Sequence, residues 1–98
     1  MNTILVIEDE AHIREIIQDV LSLENFHTLT AENGRIGIQL AKECQPDLIL
    51  CDIMMPELDG YRVLQELRQH EATASIPLIF LTARTSRSDQ RRGRPTPT

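Results

Sequence analysis

The chain reads as an α/β domain, a doubly wound parallel sheet in which strands alternate with helices, and three observations predict it. Thr3 to Ile7 (TILVI), Asp47 to Cys51 (DLILC) and Ile76 to Leu81 (IPLIFL) are short apolar runs without polar alternation, which suits strands buried on both faces. Between them, apolar residues recur at helical spacing. The first and third strands each stop abruptly at acids, Glu8-Asp9-Glu10 and Asp52. At 98 residues and 11.2 kDa, with 41% hydrophobic and 26% charged residues, the chain holds one domain with a thin margin of burial.

TILVI opens the sheet. From Glu10 onward Ile13, Ile16, Ile17, Val20, Leu21 and Leu23 trace the apolar face of a helix, with Arg14, Glu15, Gln18 and Asp19 opposite and Asp9 as the expected cap. Phe26 to Ala31 alternates weakly and predicts a less buried second strand. Asn33-Gly34 turns the chain into a helix carrying Ile36, Leu40, Ala41 and Cys44, which stops before Pro46. DLILC repeats the design of the first strand. After the loop at 54–60, Tyr61, Val63, Leu64 and Leu67 predict a third helix ending near His70. IPLIFL is the fourth strand, with Pro77 tolerated at its start. Right-handed crossovers then join the parallel strands.

Beyond Ala83 the pattern dissolves. Residues 84–93 could begin a helix but hold no apolar residue to pack it, and Pro95 and Pro97 forbid its continuation, so 84–98 is expected to be a frayed or disordered tail behind a domain at 1–83. Charge divides at the same place. Residues 1–83 hold fourteen acids and five basic residues, for −9, while 84–98 hold five Arg and one Asp, for +4. An acidic body argues against a nucleic-acid surface, and a short basic end is more often merely solvated. No window approaches the roughly 18 apolar residues of a membrane span, and the N-terminus lacks a signal pattern, so a cytoplasmic protein is expected. Cys44 and Cys51 lack metal-ligand spacing and read as small core residues in a reducing compartment.

In an open parallel sheet the carboxyl ends of the strands converge on one edge. Glu8, Asp9 and Glu10 stand there from the first strand, Asp52 from the third and Thr82 from the fourth. If strands one and three are neighbours, Glu8, Asp9 and Asp52 meet, and such a cluster calls for a cation. Oxygen donors without His or Cys favour magnesium. Taken singly, Asp9 also fits a helix cap, Asp52 a turn and Thr82 a strand hydroxyl; their joint placement favours chemistry. A carboxylate beside magnesium and a hydroxyl suits phosphoryl transfer to an aspartate.

On the acidic pair Glu8-Asp9, the block DLILCDIMMPELDG at 47–60 and IFLTA at 79–83, residues 3–83 closely resemble the receiver domain of bacterial two-component response regulators. The resemblance implies a flavodoxin-like fold with strand order 2-1-3-4, Asp52 as phosphoacceptor, and Mg2+ held by Glu8, Asp9, Asp52 and the backbone carbonyl of Met54. Thr82 is similar to the switch hydroxyl and Ala83 leaves the phosphoryl group room. Pro56 and Gly60 resemble the residues shaping the loop, Gly60 by a backbone conformation other residues avoid. It further implies a sensor histidine kinase or phosphotransfer protein as partner, with the phosphohistidine on that partner and not on His12, His27 or His70. The module would accept phosphate, from small donors at most unaided, without being an enzyme.

The family also carries a fifth strand ending in a lysine that pairs with the phosphate, an aromatic switch partner on that strand, and a fifth helix. None is recognisable here, and the one lysine, Lys42, belongs to helix two. The expectation is a receiver fold short of its fifth strand and fifth helix, with weak magnesium binding and slow or absent phosphorylation. An exposed fourth strand at 77–82, or the sheet face bared beside helix one, is then expected to drive homo-oligomerisation. The competing class is a non-catalytic oligomerising or folding unit that keeps the acidic pocket as a relic. A haloacid-type phosphatase needs a second acid where Met54 stands, and a nucleotide switch needs a glycine loop after strand one.

Overall fold

Because TILVI is apolar on every side, it folds only where both faces are covered, and Leu5, Val6 and Ile7 have no solvent exposure. In the computed structural model, which describes residues 2–81, this segment is β1 (Thr3–Ile7) at the interior of a four-stranded sheet. There follow α1 (Ala11–Leu23), β2 (His27–Ala31), α2 (Gly34–Cys44), β3 (Leu48–Asp52), α3 (Gly60–Arg68) and β4 (Leu78–Leu81). All strand pairs are parallel, in the order β2-β1-β3-β4, as the sequence predicted. Thr82, Ala83 and the segment 84–98 lie outside the described residues.

Right-handed crossovers place α1 on one face of the sheet and α2 and α3 on the other. The faces are unequally covered. Leu5, Ile7, Ile49 and Cys51 join Ile38 and Ala41 of α2 and Val63 and Leu67 of α3 in the main core. Alternation along β1 turns Ile4 and Val6 towards α1, and that helix has no fully buried residue.

Several expectations need correction. Ile13, Ile17 and Leu21 are half-buried, but Ile16, Val20 and Leu23 of the expected apolar face are exposed, Leu23 by 82%. A single helix on a narrow sheet covers only part of its circumference. The N-cap of α1 is Glu10 rather than Asp9, and no side chain caps it. Cys51 is buried as expected, whereas Cys44, at the end of α2, is exposed. Asn33 and Asp59 cap α2 and α3, accepting from the amides of Ile36 at 2.8 Å and Arg62 at 2.9 Å. Below α3, the Thr73 hydroxyl donates to the Leu67 carbonyl at 2.7 Å and closes the helix end.

Gly60 does not occupy a left-handed conformation. Among the described residues that role falls in this loop to Glu57, at φ 71°. Gly60 is required instead by proximity: its amide donates to the Ile53 carbonyl at 2.9 Å, folding the start of α3 against the end of β3.

Candidate functional site

Register builds the site. Ile7 pairs with Cys51, so one residue further along each strand Glu8 and Asp52 stand side by side. The Glu8 amide continues the ladder to the Ala31 carbonyl at 3.0 Å, which holds that residue in line with β1. Glu8, Asp9 and Asp52 each offer a carboxylate oxygen, and these atoms lie within 4.8 Å of one another. Glu8 and Asp52 are each 1% exposed, and Asp9 is half-buried. The sequence thus anticipated which three acids meet.

Crowding like charges in a poorly solvated place is unfavourable unless hydrogen bonds or a cation offset it. One hydrogen bond closes the turn itself, from the Glu10 amide to the Glu8 carboxylate at 3.0 Å. The field reaches the strand below. Burial foremost, then the charges of Asp52, Glu8 and Asp59, pushes the Cys51 thiol up to about 12. A protonated thiol does not compete for a metal, which leaves oxygen donors alone at the site. Such a donor set, two of its three members buried, fits a hard divalent cation such as magnesium.

Met54, in the loop after Asp52, is 50% exposed and its side chain lines a surface recess with Pro56 and Tyr61. Thr82, the expected hydroxyl, lies outside the described residues, although the pairing of Asp52 with Leu81 brings β4 to the same edge. Helical periodicity alone places Arg14 on the solvent side of α1. It is half-buried, and its Nη1 donates to the Glu8 carbonyl at 2.7 Å. Helical side chains lean towards the N-terminus, so an arginine in the first turn after an acidic strand end is the signal that points to it.

A doubly wound parallel sheet with three carboxylates gathered where its two central strands end defines a flavodoxin-like domain with a candidate metal site at its carboxyl edge. The chain belongs to the response regulator receiver domain family, whose model matches residues 4–94. It is 40% identical over 83 residues to the regulatory protein AtoC of Escherichia coli, covering 85% of this chain and 18% of that one. It is 42% identical over 87 residues to the probable transcriptional regulator ycf27 of Porphyridium aerugineum, covering 89% and 35%. The chain therefore spans about a third or less of these two curated relatives.

Among solved structures, the N-terminal domain of a response regulator receiver protein from Methanoculleus marisnigri superposes with a TM-score of 0.82 at 34% identity, covering 85% of this chain and 68% of that one. The receiver domain of a sensor histidine kinase from Pseudomonas aeruginosa, solved with a magnesium ion coordinated in its active site cleft, gives 0.81 at 29% identity, covering 92% and 74%. Among the described residues no helix is long and apolar enough to cross a membrane.

Proposed function

We propose that this receiver domain accepts a phosphoryl group on Asp52 from the phosphohistidine of a sensor kinase or phosphotransfer protein. The single observation that carries the reading is the meeting of Glu8, Asp9 and Asp52 at one edge of the sheet. In the transfer, a carboxylate oxygen of Asp52 forms the new bond to phosphorus while the phosphorus–nitrogen bond of the donor breaks, its electron pair returning to the imidazole. Glu8, Asp9 and Asp52, with the backbone carbonyl of Met54, would hold magnesium. When bound, magnesium supplies positive charge to the phosphoryl oxygens. Burial of Asp52 keeps water from its carboxylate, and the β3–α3 loop closed by Gly60 fixes its direction. Thr82 is proposed to donate its hydroxyl to a phosphoryl oxygen.

The 98 residues contain one lysine, Lys42, which lines a groove between α2 and α3 rather than the acidic edge. For the 98-residue chain, with Lys42 in that groove, transfer is proposed to be slow. The test is to incubate the chain with an acyl phosphate and MgCl2 and follow its intact mass. Slow gain of one phosphoryl group, abolished in Asp52→Asn and by chelation of the metal, is expected. No gain over hours, in a folded chain that binds magnesium, would favour the non-catalytic scaffold instead.

A further inference from the structure

We propose that Arg14 is a positioning residue of the acidic site, setting the directions of the Glu8 and Asp9 carboxylates through the peptide group that joins them. The inference rests on reading that site as a magnesium site. The Glu8 carbonyl is the first on β1 to stand beyond the paired residues, Ile7 being the last in register with both neighbours. Arg14 bonds this oxygen, Nη1 donating at 2.7 Å. Because a peptide group is planar, holding that oxygen fixes the backbone rotation on both sides, after the Cα of Glu8 and before the Cα of Asp9.

Glu8 is then constrained from three directions: its amide by Ala31 of β2, its carbonyl by Arg14 of α1, and its carboxylate by the amide of Glu10. Arg14 is itself held, its amide donating to the Glu10 carbonyl at 3.0 Å in the first turn of α1. Arg14 also lines a recess that includes three acids, Asp9, Glu32 and Glu57, beside Ala11, Asn33 and Pro56. A charge-assisted bond from a half-buried arginine is stronger than a neutral one, and a guanidinium supports it with a geometry that a flexible ammonium lacks.

Position and charge make opposite predictions, which isolates the role. Arg14→Gln removes a positive charge from beside a cation site, so Coulomb's law alone would tighten magnesium binding. Loss of positioning weakens it. Calorimetric titration of MgCl2 into the folded wild-type chain, Arg14→Gln and Arg14→Lys is expected to give about tenfold weaker binding for Gln. Lys, with the charge kept but the planar fork lost, should fall between Gln and wild type. Binding by a folded Gln variant as tight as wild type, or tighter, overturns the proposal. Should Gln fail to fold by thermal melt, Lys decides, since equality with wild type at unchanged charge also overturns it. A folded wild-type chain that takes up no magnesium sinks the reading of the acidic site itself, and the two failures are distinct.

Discussion

A β-carbon placed on Gly60 would lie 2.5 Å from the carbonyl oxygen of Asp52, closer than any side chain can sit. The obstacle is backbone, next to the Cα of Ile53 at 2.9 Å, so no rotamer change relieves it. Gly60→Ala is therefore expected to push α3 away from the end of β3, at a cost of about 2 kcal/mol or more. Chemical denaturation measures the loss. Because the displaced carbonyl belongs to Asp52, magnesium affinity should fall in the same variant, whereas an alanine at exposed Gln69 should leave both unchanged.

Asp52→Asn tests the electrostatics of the site without changing its volume. Three carboxylate oxygens within 4.8 Å repel one another, and two of the residues are buried. Neutralising one relieves this by about 1–3 kcal/mol at the effective dielectric of a protein. Thermal unfolding in a chelating buffer should show Asp52→Asn to be more stable than wild type, with the gap closing as MgCl2 is added. A variant less stable than wild type without metal would mean that hydrogen bonds to Asp52 outweigh the repulsion.

The acidic edge was legible in the sequence because it follows from topology: parallel strands deliver their carboxyl ends together, so acids after TILVI and DLILC must meet once β1 and β3 are neighbours. β1 was legible to the residue for a related reason, since an all-apolar run has no surface position. What tertiary packing decides was less legible. Ile16 and Val20 carry the same periodicity as Ile13 and Ile17, and only the narrow contact between α1 and the sheet separates exposed from half-buried. Gly60 looked like a turn glycine, because the carbonyl that excludes a β-carbon belongs to a different element. Arg14 was missed because amphipathic patterning treats every charged helical residue as solvated, whereas a long side chain near a helix start can reach back to a strand end.

Cys51 should be inert where Cys44 reacts. Burial and the neighbouring acids push its thiol up from 9.0 to about 12, so the native chain at pH 8 should be alkylated once, at exposed Cys44, and a second time only in denaturant. The same shift affects stability. The unfolded chain releases this proton near pH 9 and the folded chain only near 12, so the contribution is complete below about pH 9 and is lost between 9 and 12. The slope is at most about 1.4 kcal/mol per pH unit from this group. Cys51→Ala should flatten the decline in that window, and an unchanged slope would assign it to other groups.

Self-association is the last expectation open to a direct test. Among the described residues β4 stands at the end of the sheet order, and Ile79 on it is 53% exposed. On α1, Ile16, Val20 and Leu23 are exposed together, at positions spaced as one helical stripe. Apolar groups left in water favour contact with another copy, by roughly 25 cal/mol for each Å² covered. Sedimentation at micromolar concentration is expected to show dimers or larger species. Charged substitutions then identify the surface: Ile79→Glu should dissociate an assembly formed along β4, and Val20→Glu one formed over α1. Strand pairing would also persist at high salt, since it is made of backbone hydrogen bonds and apolar contact. A clean monomer for the 98-residue chain at all concentrations would show that neither surface self-associates.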